Sequence, residues 1–386
     1  MKSLQSIVKN AAVLGVAALL LTHCAGGGLA GSPSVVPAGS VSSGADRSAQ
    51  SVSNLSTLPI LTDTSTAKTG VFVGEDCGPN AIVPCFGFAN AFRHGAAVGN
   101  YYAGWDFDLG NFAAAQNFSA LWASGTEPMI TWQPHSSKSA ITYADLVAGT
   151  YDAYIQTSAK ELHALGFPVM LRPFHEFNGT WYSWGLANQG ADAAADTQFI
   201  AAWRHVVNIF RQNGATNVKF VWCYNNASVP NATANPWNNP AHAYPGDTYV
   251  DWIATDAYNR GSSAVGKWYT FDQVVSQAYG LAVSISTVKP VMLGELASNE
   301  YGDGGSMKAT WISQMLGELQ QPASTNRYPH LRALLWFQSD TNGYSYDNES
   351  TSPAYTAWVK GLRTLDGAGV LNFRSNAAVF SSLSTP

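Results

Sequence analysis

Two glutamates follow apolar segments in this 386-residue sequence and are the best candidates for acid–base chemistry. Glu176 comes three residues after the segment PVMLRP, and Glu295 ends the segment PVMLGE. A pair of carboxyl groups about 5 to 5.5 Å apart can cleave a glycosidic bond with retention, because one protonates the leaving oxygen while the other attacks the anomeric carbon. The alternative is that each glutamate only caps the helix after its strand, which is less credible for two such residues than for one. The pair therefore favours glycoside hydrolysis.

Polar and aromatic side chains accompany the two glutamates. The pair must differ in pKa, since one carboxyl has to hold a proton that the other has lost, and neighbouring groups set that difference. The candidate polar neighbours at the ends of apolar segments are Arg172, His175, Asp256 and Tyr258. Tryptophan rings stack on the apolar faces of pyranose sugars, and the candidate platforms are Trp132, Trp181, Trp184 and Trp336.

The elements that must position these residues recur along the chain as eight short apolar segments, each predicted to be a strand. They are Gly70–Gly74, Val98–Trp105, Pro128–Gln133, Pro168–Pro173, Val218–Tyr224, Val250–Asp256, Pro290–Glu295 and Leu331–Gln338. Helices are predicted between them, most clearly over Tyr143–Leu165, after Thr142, and over Thr197–Gln212.

Alternation of apolar strands with helices indicates an α/β fold, and eight such strands favour a closed (β/α)8 TIM barrel over an open sheet. Active sites of these barrels lie at the carboxyl ends of the strands, where Glu176 and Glu295 would face one another. No GxGxxG motif follows the first strand, which disfavours a dinucleotide-binding fold.

Composition excludes several other functions. A formal net charge of −5 gives no electrostatic footprint for nucleic acid, so no nucleic-acid partner is expected. The sequence has neither a CxxC pair nor an HExxH motif, and we expect no metal and no organic cofactor. Cys77 and Cys85 could form a disulfide after export, whereas Cys223 is expected to be a buried thiol. We expect a monomer.

The first residues resemble a secretory signal, with a basic start followed by the apolar run Ala11–Thr22. Cys24 follows in LLLTHC, which resembles a lipoprotein signal except that His23 replaces a small residue; a lipid on Cys24 would be the chain's membrane contact. Cleavage after Ala30 is the alternative. We therefore divide the chain into an export signal (1–24), a low-complexity linker (25–68), a barrel domain (69–370) and a Ser-rich tail (371–386), and expect the protein to be exported.

Longer motifs resemble glycoside hydrolase family 26, whose members are mainly β-1,4-mannanases, with some β-1,3-1,4-glucanases (lichenases) and β-1,3-xylanases. The resemblance covers about residues 70–365 and is most specific in LRPFHEFNGTWYSWG, Leu171–Gly185. Further support comes from three segments, YPGDTYVDWIATDAYN (Tyr244–Asn259), KPVMLGELAS (Lys289–Ser298) and LLWFQ (Leu334–Gln338).

The resemblance implies that Glu176 is the general acid/base and Glu295 the nucleophile, with Tyr258 donating a hydrogen bond to that nucleophile. It also implies that His175 contacts the sugar or the catalytic groups. Trp181 and Trp336 would line the subsites next to the scissile bond.

Two segments depart from the family pattern. Trp132 matches a TWEP-like segment in which Gln133 replaces the usual acid, and Tyr182–Gly185 reads YSWG where mannanases typically read FWWG. The expected substrate is a β-linked hexose polysaccharide, with β-1,4-mannan or glucomannan favoured over mixed-linkage β-glucan or β-1,3-xylan. A protein that binds carbohydrate in the same cleft without catalysis is the alternative of another class.

Overall fold

A computed structural model describes residues 71–76, 96–123, 125–135, 141–263, 266–321, 325–339, 344, 346, 352–367 and 371–372. The predicted export signal, Cys24, the linker and the pair Cys77 and Cys85 lie outside these described residues. So does the predicted Ser-rich tail beyond residue 372.

Eight parallel strands close into a barrel in chain order, since β1 pairs with both β2 and β8. The strands are β1 (Val71–Asp76), β2 (Val98–Gly104), β3 (Glu127–Gln133), β4 (Val169–Pro173), β5 (Val218–Asn225), β6 (Trp252–Asn259), β7 (Val291–Ser298) and β8 (Leu331–Trp336). A two-residue strand, β9 (Leu371–Asn372), pairs with the start of β1. The predicted (β/α)8 barrel is confirmed, and each of the eight apolar segments forms the expected strand.

Helices of the described residues cover the outside of the barrel. They are α1 (Leu109–Ala115), α2 (Phe118–Ala123), α3 (Tyr143–Val147), α4 (Asp152–Ala164), α5 (Ala193–Gln212), α6 (Phe271–Ile285), α7 (Ser306–Leu319) and α8 (Pro353–Gly367). None of the helices in the described ranges is both long and apolar enough to cross a membrane.

Two helix predictions need correction. The single helix predicted over Tyr143–Leu165 is wrong, because Gly149 adopts φ +83° and separates α3 from α4. The helix predicted from Thr197 begins four residues earlier, since the side chain of Asp192 accepts hydrogen bonds from the first backbone amides of α5.

Side chains alternate between the barrel interior and the layer beneath the helices, as expected for strands. The lower interior is apolar, formed by Ala97, Val98, Met129, Met170, Val221, Cys223, Trp252, Ala254, Met292, Ala333 and Leu335. In the next layer of side chains towards the carboxyl ends of the strands, the interior becomes polar, with Arg172 of β4 ion-paired to Asp256 of β6. The barrel is therefore a packed core that carries a polar layer towards the carboxyl ends of its strands.

A bulge in β7 interrupts the alternation. Thr255 pairs with Leu293 and Asp256 with Glu295, so Gly294 is an extra residue on β7. Leu293 faces the outer layer, and strict alternation would send Glu295 there as well; the bulge instead turns Glu295 into the barrel. A side chain at 294 has no room, because a Cβ would lie 2.8 Å from Asp256 Oδ1 and 2.9 Å from Arg172 Nη1.

Replacing Gly294 by Ala is expected to destabilise the protein by about 1–3 kcal/mol, since the methyl group would push the Arg172–Asp256 pair apart. Chemical denaturation followed by tryptophan fluorescence measures the change. Gly280→Ala is the matched control: Gly280 is exposed in α6 with open space around its Cβ position. That variant should be stabilised by about 0.5–1 kcal/mol. Equal stability of Gly294→Ala and wild type would contradict the close packing of the bulge.

Candidate active site

Glu295 is held by hydrogen-bond donors from three other strands. Its Oε1 accepts from Arg172 Nη2 at 2.5 Å and from the Tyr102 hydroxyl at 2.6 Å, and its Oε2 accepts from the Tyr258 hydroxyl. Burial raises the pKa of this carboxyl, but the Arg172 cation and the donated hydrogen bonds outweigh burial and leave the pKa below its usual value. Glu295 is therefore ionised and fixed in orientation.

Glu176 lies in a tight turn directly after β4. Phe174 and Glu176 both have left-handed backbone angles, φ 54° and 52°, which residues with a side chain seldom adopt. The turn is tied to β5, because the Glu176 amide donates to the Cys223 carbonyl at 3.1 Å. This strained turn, of the kind found at functional sites, brings the Glu176 carboxyl over the barrel mouth.

Neutral donors hold the Glu176 carboxyl. Trp181 Nε1 donates to Oε2 at 2.6 Å, and Asn225 Nδ2 donates to Oε1 at 2.6 Å. Burial and the nearby Glu295 carboxylate raise the pKa of Glu176 to about 7. The pKa of Glu176 is thus raised, as expected of a general acid, and the pKa of Glu295 is lowered, as expected of a nucleophile.

Arg172 connects the polar layer to Glu295. Its guanidinium is fully buried, contacts both carboxylate oxygens of Asp256 at 2.9 and 3.1 Å, and donates from Nε to Thr131 Oγ1 at 2.8 Å. The predicted buried thiol, Cys223, also contacts Asp256, at 3.2 Å. Arg172 and Asp256 therefore lie beneath the carboxyls and support Glu295 from inside the barrel.

His175 is enclosed by aromatic side chains. Its Nε2 is 3.0 Å from the Tyr182 hydroxyl, and Trp184 stacks on Tyr182 at 4.2 Å while its Nε1 donates to the His175 carbonyl. Burial and the Arg172 charge lower the pKa of His175 to about 3, so the ring is neutral at neutral pH. Trp184 is buried behind Tyr182, and it supports the turn rather than offering a ring face to a sugar.

The predictions of Trp132 and Trp336 as sugar platforms are wrong. Strand alternation turns both rings outward, and both are fully buried. Trp132 stacks on Trp105 at 4.5 Å, and Trp336 packs against Trp311 and Trp358 of the helical layer. Phe337, the residue after Trp336, contacts the Tyr258 ring instead.

Three residues near the carboxyls were not predicted: Tyr102, Asn225 and Arg260. Tyr102 and Asn225 stand at the carboxyl ends of β2 and β5, so the rule that selected Glu295 could have found them. Tyr101 and Tyr102 are adjacent in sequence, and only the pairing of the strands shows that Tyr102 faces inward. Arg260 follows β6, with its guanidinium carbon 5.1 Å from the centroid of the Tyr258 ring.

Within the part of the chain that the structure describes, no group of three or more His, Cys, Asp or Glu side chains is arranged to bind a metal ion. The geometry instead brings together one carboxyl that favours its proton, one ionised carboxylate and the tryptophan Trp181. This arrangement can protonate a leaving oxygen on one side of a bond and attack a carbon on the other.

Relatives with known names resemble this chain in sequence. It is 34% identical over 276 residues to Endoglucanase H of Acetivibrio thermocellus, an alignment that covers 71% of this chain and 28% of that protein. It is 31% identical over 107 residues to a mannan endo-1,4-β-mannosidase of Bacillus subtilis, covering 27% of each. The chain thus spans less than a third of the length of either relative.

Solved structures share the fold at low sequence identity. The catalytic domain of an endo-β-1,4-mannanase from Bacillus sp. JAMB-750 superposes with a TM-score of 0.60 at 17% identity, covering 86% of this chain and 93% of that one. A modular endo-β-1,4-mannanase from Cellulomonas fimi gives a TM-score of 0.54 at 15% identity, covering 88% and 77%. The profile of glycosyl hydrolase family 26 matches residues 128–312, which include both Glu176 and Glu295. With the barrel fold and the paired carboxyls, this match assigns residues 128–312 of the chain to glycosyl hydrolase family 26.

Proposed function

We propose that the protein is a retaining endo-β-glycosidase that hydrolyses a β-linked hexose polysaccharide, with β-1,4-mannan or glucomannan as the preferred substrate. The observation that supports it most is the opposite pKa shift of two buried carboxyls in one cleft, upward at Glu176 and downward at Glu295. A protein that only bound carbohydrate would have no need of this difference.

In the first step Glu295 attacks the anomeric carbon and Glu176 gives its proton to the leaving oxygen, so the glycosidic bond breaks and a glycosyl ester forms on Glu295. Oε1 of Glu295 is occupied by Arg172 and Tyr102, whereas Oε2 accepts only from Tyr258 among the described residues. Oε2 therefore has the freer lone pair and is the oxygen we assign to the attack.

In the second step Glu176, now ionised, takes a proton from water as the water oxygen attacks the anomeric carbon. The ester bond breaks, its electron pair returns to Glu295, and Glu176 is protonated again. Two inversions at one carbon give net retention. Trp181 lies beside the acid/base, since its indole donates to Glu176 Oε2.

The names of the relatives support two substrates. Several are mannan endo-1,4-β-mannosidases, which favours mannan, whereas the relative that aligns over 71% of this chain is an endoglucanase. The YSWG segment gives β-glucan a specific argument, because the Tyr182 hydroxyl bonds to His175 where the mannanase pattern FWWG has a phenylalanine, which has no hydroxyl. Mixed-linkage β-glucan is therefore the second candidate.

Product analysis on glucomannan, galactomannan, lichenan, β-1,3-xylan and cellulose, with starch and chitin as controls, tests the substrate. Reducing ends should appear from glucomannan or lichenan and hardly at all from starch or chitin. Activity confined to α-linked glucans would contradict the proposal, and tight binding of β-glycans without any hydrolysis would favour the non-catalytic alternative.

Alanine variants of the two carboxyls separate their roles. Glu295→Ala removes the nucleophile, so turnover should fall by several orders of magnitude on every substrate. Glu176→Ala should be as severe on polysaccharide but much milder for glycosylation by an activated aryl glycoside, whose leaving group needs no proton.

Azide rescue provides the control for this assignment. Added azide should restore turnover of Glu176→Ala and yield a β-glycosyl azide, whereas azide acting on Glu295→Ala should yield the α-azide. If the defect of Glu295→Ala depends on the leaving group and that of Glu176→Ala does not, the assignment must be reversed. Products of inverted anomeric configuration, detected by proton NMR early in the reaction, would refute retention.

We also propose that the protein is exported and tethered to the cell envelope through a lipid on Cys24. The basic start, the apolar run Ala11–Thr22 and the Gly- and Ser-rich linker support this proposal.

Wild-type protein expressed in a bacterium should label with a fatty-acid probe and fractionate with membranes, and Cys24→Ser should lose both properties. Recovery of wild-type protein from the medium with an amino terminus near Gly31 would exclude the lipid while leaving export intact.

A further inference from the structure

Tyr102 brings a hydroxyl from strand β2 to the nucleophile. This hydroxyl donates to Glu295 Oε1 at 2.6 Å, although the two residues are 193 positions apart in the sequence. The side chain is half-buried, and its ring lies edge-on to that of His175, with 6.2 Å between the two ring centroids. Tyr102 is therefore part of the cleft wall, in direct contact with one oxygen of the reacting carboxylate.

A chain of hydrogen bonds in the polar layer fixes the position of β2 beneath this contact. Asn100, two residues earlier on the same face of the strand, is fully buried and accepts from Thr131 Oγ1 at 2.8 Å. Thr131 accepts in turn from Arg172 Nε at 2.8 Å. Strands β2, β3 and β4 are thus joined below the cleft, and Tyr102 and Arg172 are directed at the same carboxylate oxygen.

The two oxygens of Glu295 have different partners. Oε1 accepts from Arg172 Nη2 at 2.5 Å and from Tyr102, and two donors match the two lone pairs of a carboxylate oxygen, whereas Oε2 accepts from Tyr258. Attack through Oε2 makes this atom the bridging oxygen of the glycosyl ester and makes Oε1 its carbonyl oxygen. The Tyr102 hydroxyl is then a donor to the ester carbonyl.

The charge on Oε1 changes in opposite directions in the two steps. Oε1 shares the full charge of the free carboxylate and carries much less in the ester, and a hydrogen bond to an ionised acceptor is roughly twice as strong as one to a neutral acceptor. In the second step water attacks the anomeric carbon, Glu176 takes its proton, and the bond to Oε2 breaks. The electron pair of that bond returns to the carboxylate and is shared by both oxygens. The bond from Tyr102 therefore strengthens during the second step.

We propose that Tyr102 is a positioning residue that assists the departure of Glu295: its hydroxyl stabilises the negative charge that returns to Oε1 as the glycosyl ester breaks. The inference rests on the proposed function, because it requires that the ester forms. Removal of the hydroxyl should slow breakdown of the ester and leave its formation nearly unchanged. A residue that only maintained the shape of the cleft would affect both steps.

Tyr102→Phe keeps the ring and removes the hydroxyl, so it separates the two steps. The substrate is dinitrophenyl β-mannobioside, or dinitrophenyl β-cellobioside if the enzyme acts on glucan. Its leaving group needs no proton, so kcat reports breakdown of the ester and kcat/KM reports its formation. In the variant, kcat should fall by about five- to tenfold and kcat/KM should stay within about twofold, because a bond to a charged acceptor is lost in the second step. Mass spectrometry of the intact protein should show more glycosyl-enzyme at steady state than in the wild type.

A deoxyfluoro glycoside with the same leaving group measures the second step alone, because it traps the ester on Glu295. After excess reagent is removed, activity should recover more slowly in Tyr102→Phe than in the wild type, by the same factor as the fall in kcat.

Tyr101→Phe is the matched control. It removes the same atom from the neighbouring residue of β2, but the Tyr101 ring is buried in the outer layer, 5.1 Å from the ring of Phe118. This variant should leave kcat, kcat/KM and the rate of recovery unchanged. Circular dichroism establishes that both variants fold.

The outcomes separate this proposal from the proposed function. An equal fall of kcat and kcat/KM, or an unchanged rate of recovery in folded Tyr102→Phe, would overturn the role of Tyr102 and leave the retaining mechanism in place. If the deoxyfluoro reagent forms no covalent glycosyl-enzyme with the wild type, the retaining mechanism is wrong, and the role of Tyr102 is refuted with it.

Discussion

The upper half of the barrel depends on one buried cation, the guanidinium of Arg172. It is fully enclosed, so its lost hydration must be replaced by ionic contacts and hydrogen bonds from the protein. Asp256 and Glu295 supply the negative charges. Removing one partner of such a buried pair typically costs about 3–5 kcal/mol, because the other charge is left uncompensated. Strands β4, β6 and β7 must therefore keep the register that brings these groups together, and residue 294 between them must be glycine-sized.

The same cation separates the chemistry of the two glutamates. Glu295 accepts hydrogen bonds from Arg172 and two tyrosine hydroxyls, so it is ionised and fixed in orientation. Two of these donors bind Oε1 and one binds Oε2. Glu176 sits above, on a strained turn, where its direct contacts are the neutral donors Trp181 and Asn225. The charge on Glu295 then adds to burial in raising the pKa of Glu176. One arrangement thus produces an ionised carboxylate and a protonated one within the same cleft.

Aromatic residues serve mainly to pack the layer between barrel and helices. Six tryptophans are fully buried in that layer, Trp132, Trp203, Trp222, Trp311, Trp336 and Trp358, whereas Trp252 is buried in the lower barrel interior. Among the four predicted platforms, Trp181 alone keeps its indole at the catalytic groups, since it follows the strand in a turn and is not bound by strand alternation. A high tryptophan content is therefore weak evidence for sugar binding, whereas the position of one ring beside the catalytic groups is stronger evidence.

The sequence by itself determined the eight strands, the closed barrel and the two glutamates. Few folds other than a barrel can bury eight apolar strands that alternate with helices. Active sites of such barrels lie at the carboxyl ends of the strands. It also predicted the bond from Tyr258 to Glu295, through the family resemblance. Tertiary structure alone decided which face of each strand a residue occupies. Tyr102 points inward and Trp336 outward because of strand pairing, and the bulge at Gly294 moves Glu295 against simple alternation. Such choices depend on contacts between residues more than a hundred positions apart, as between Arg172 and Glu295, and no local pattern records them.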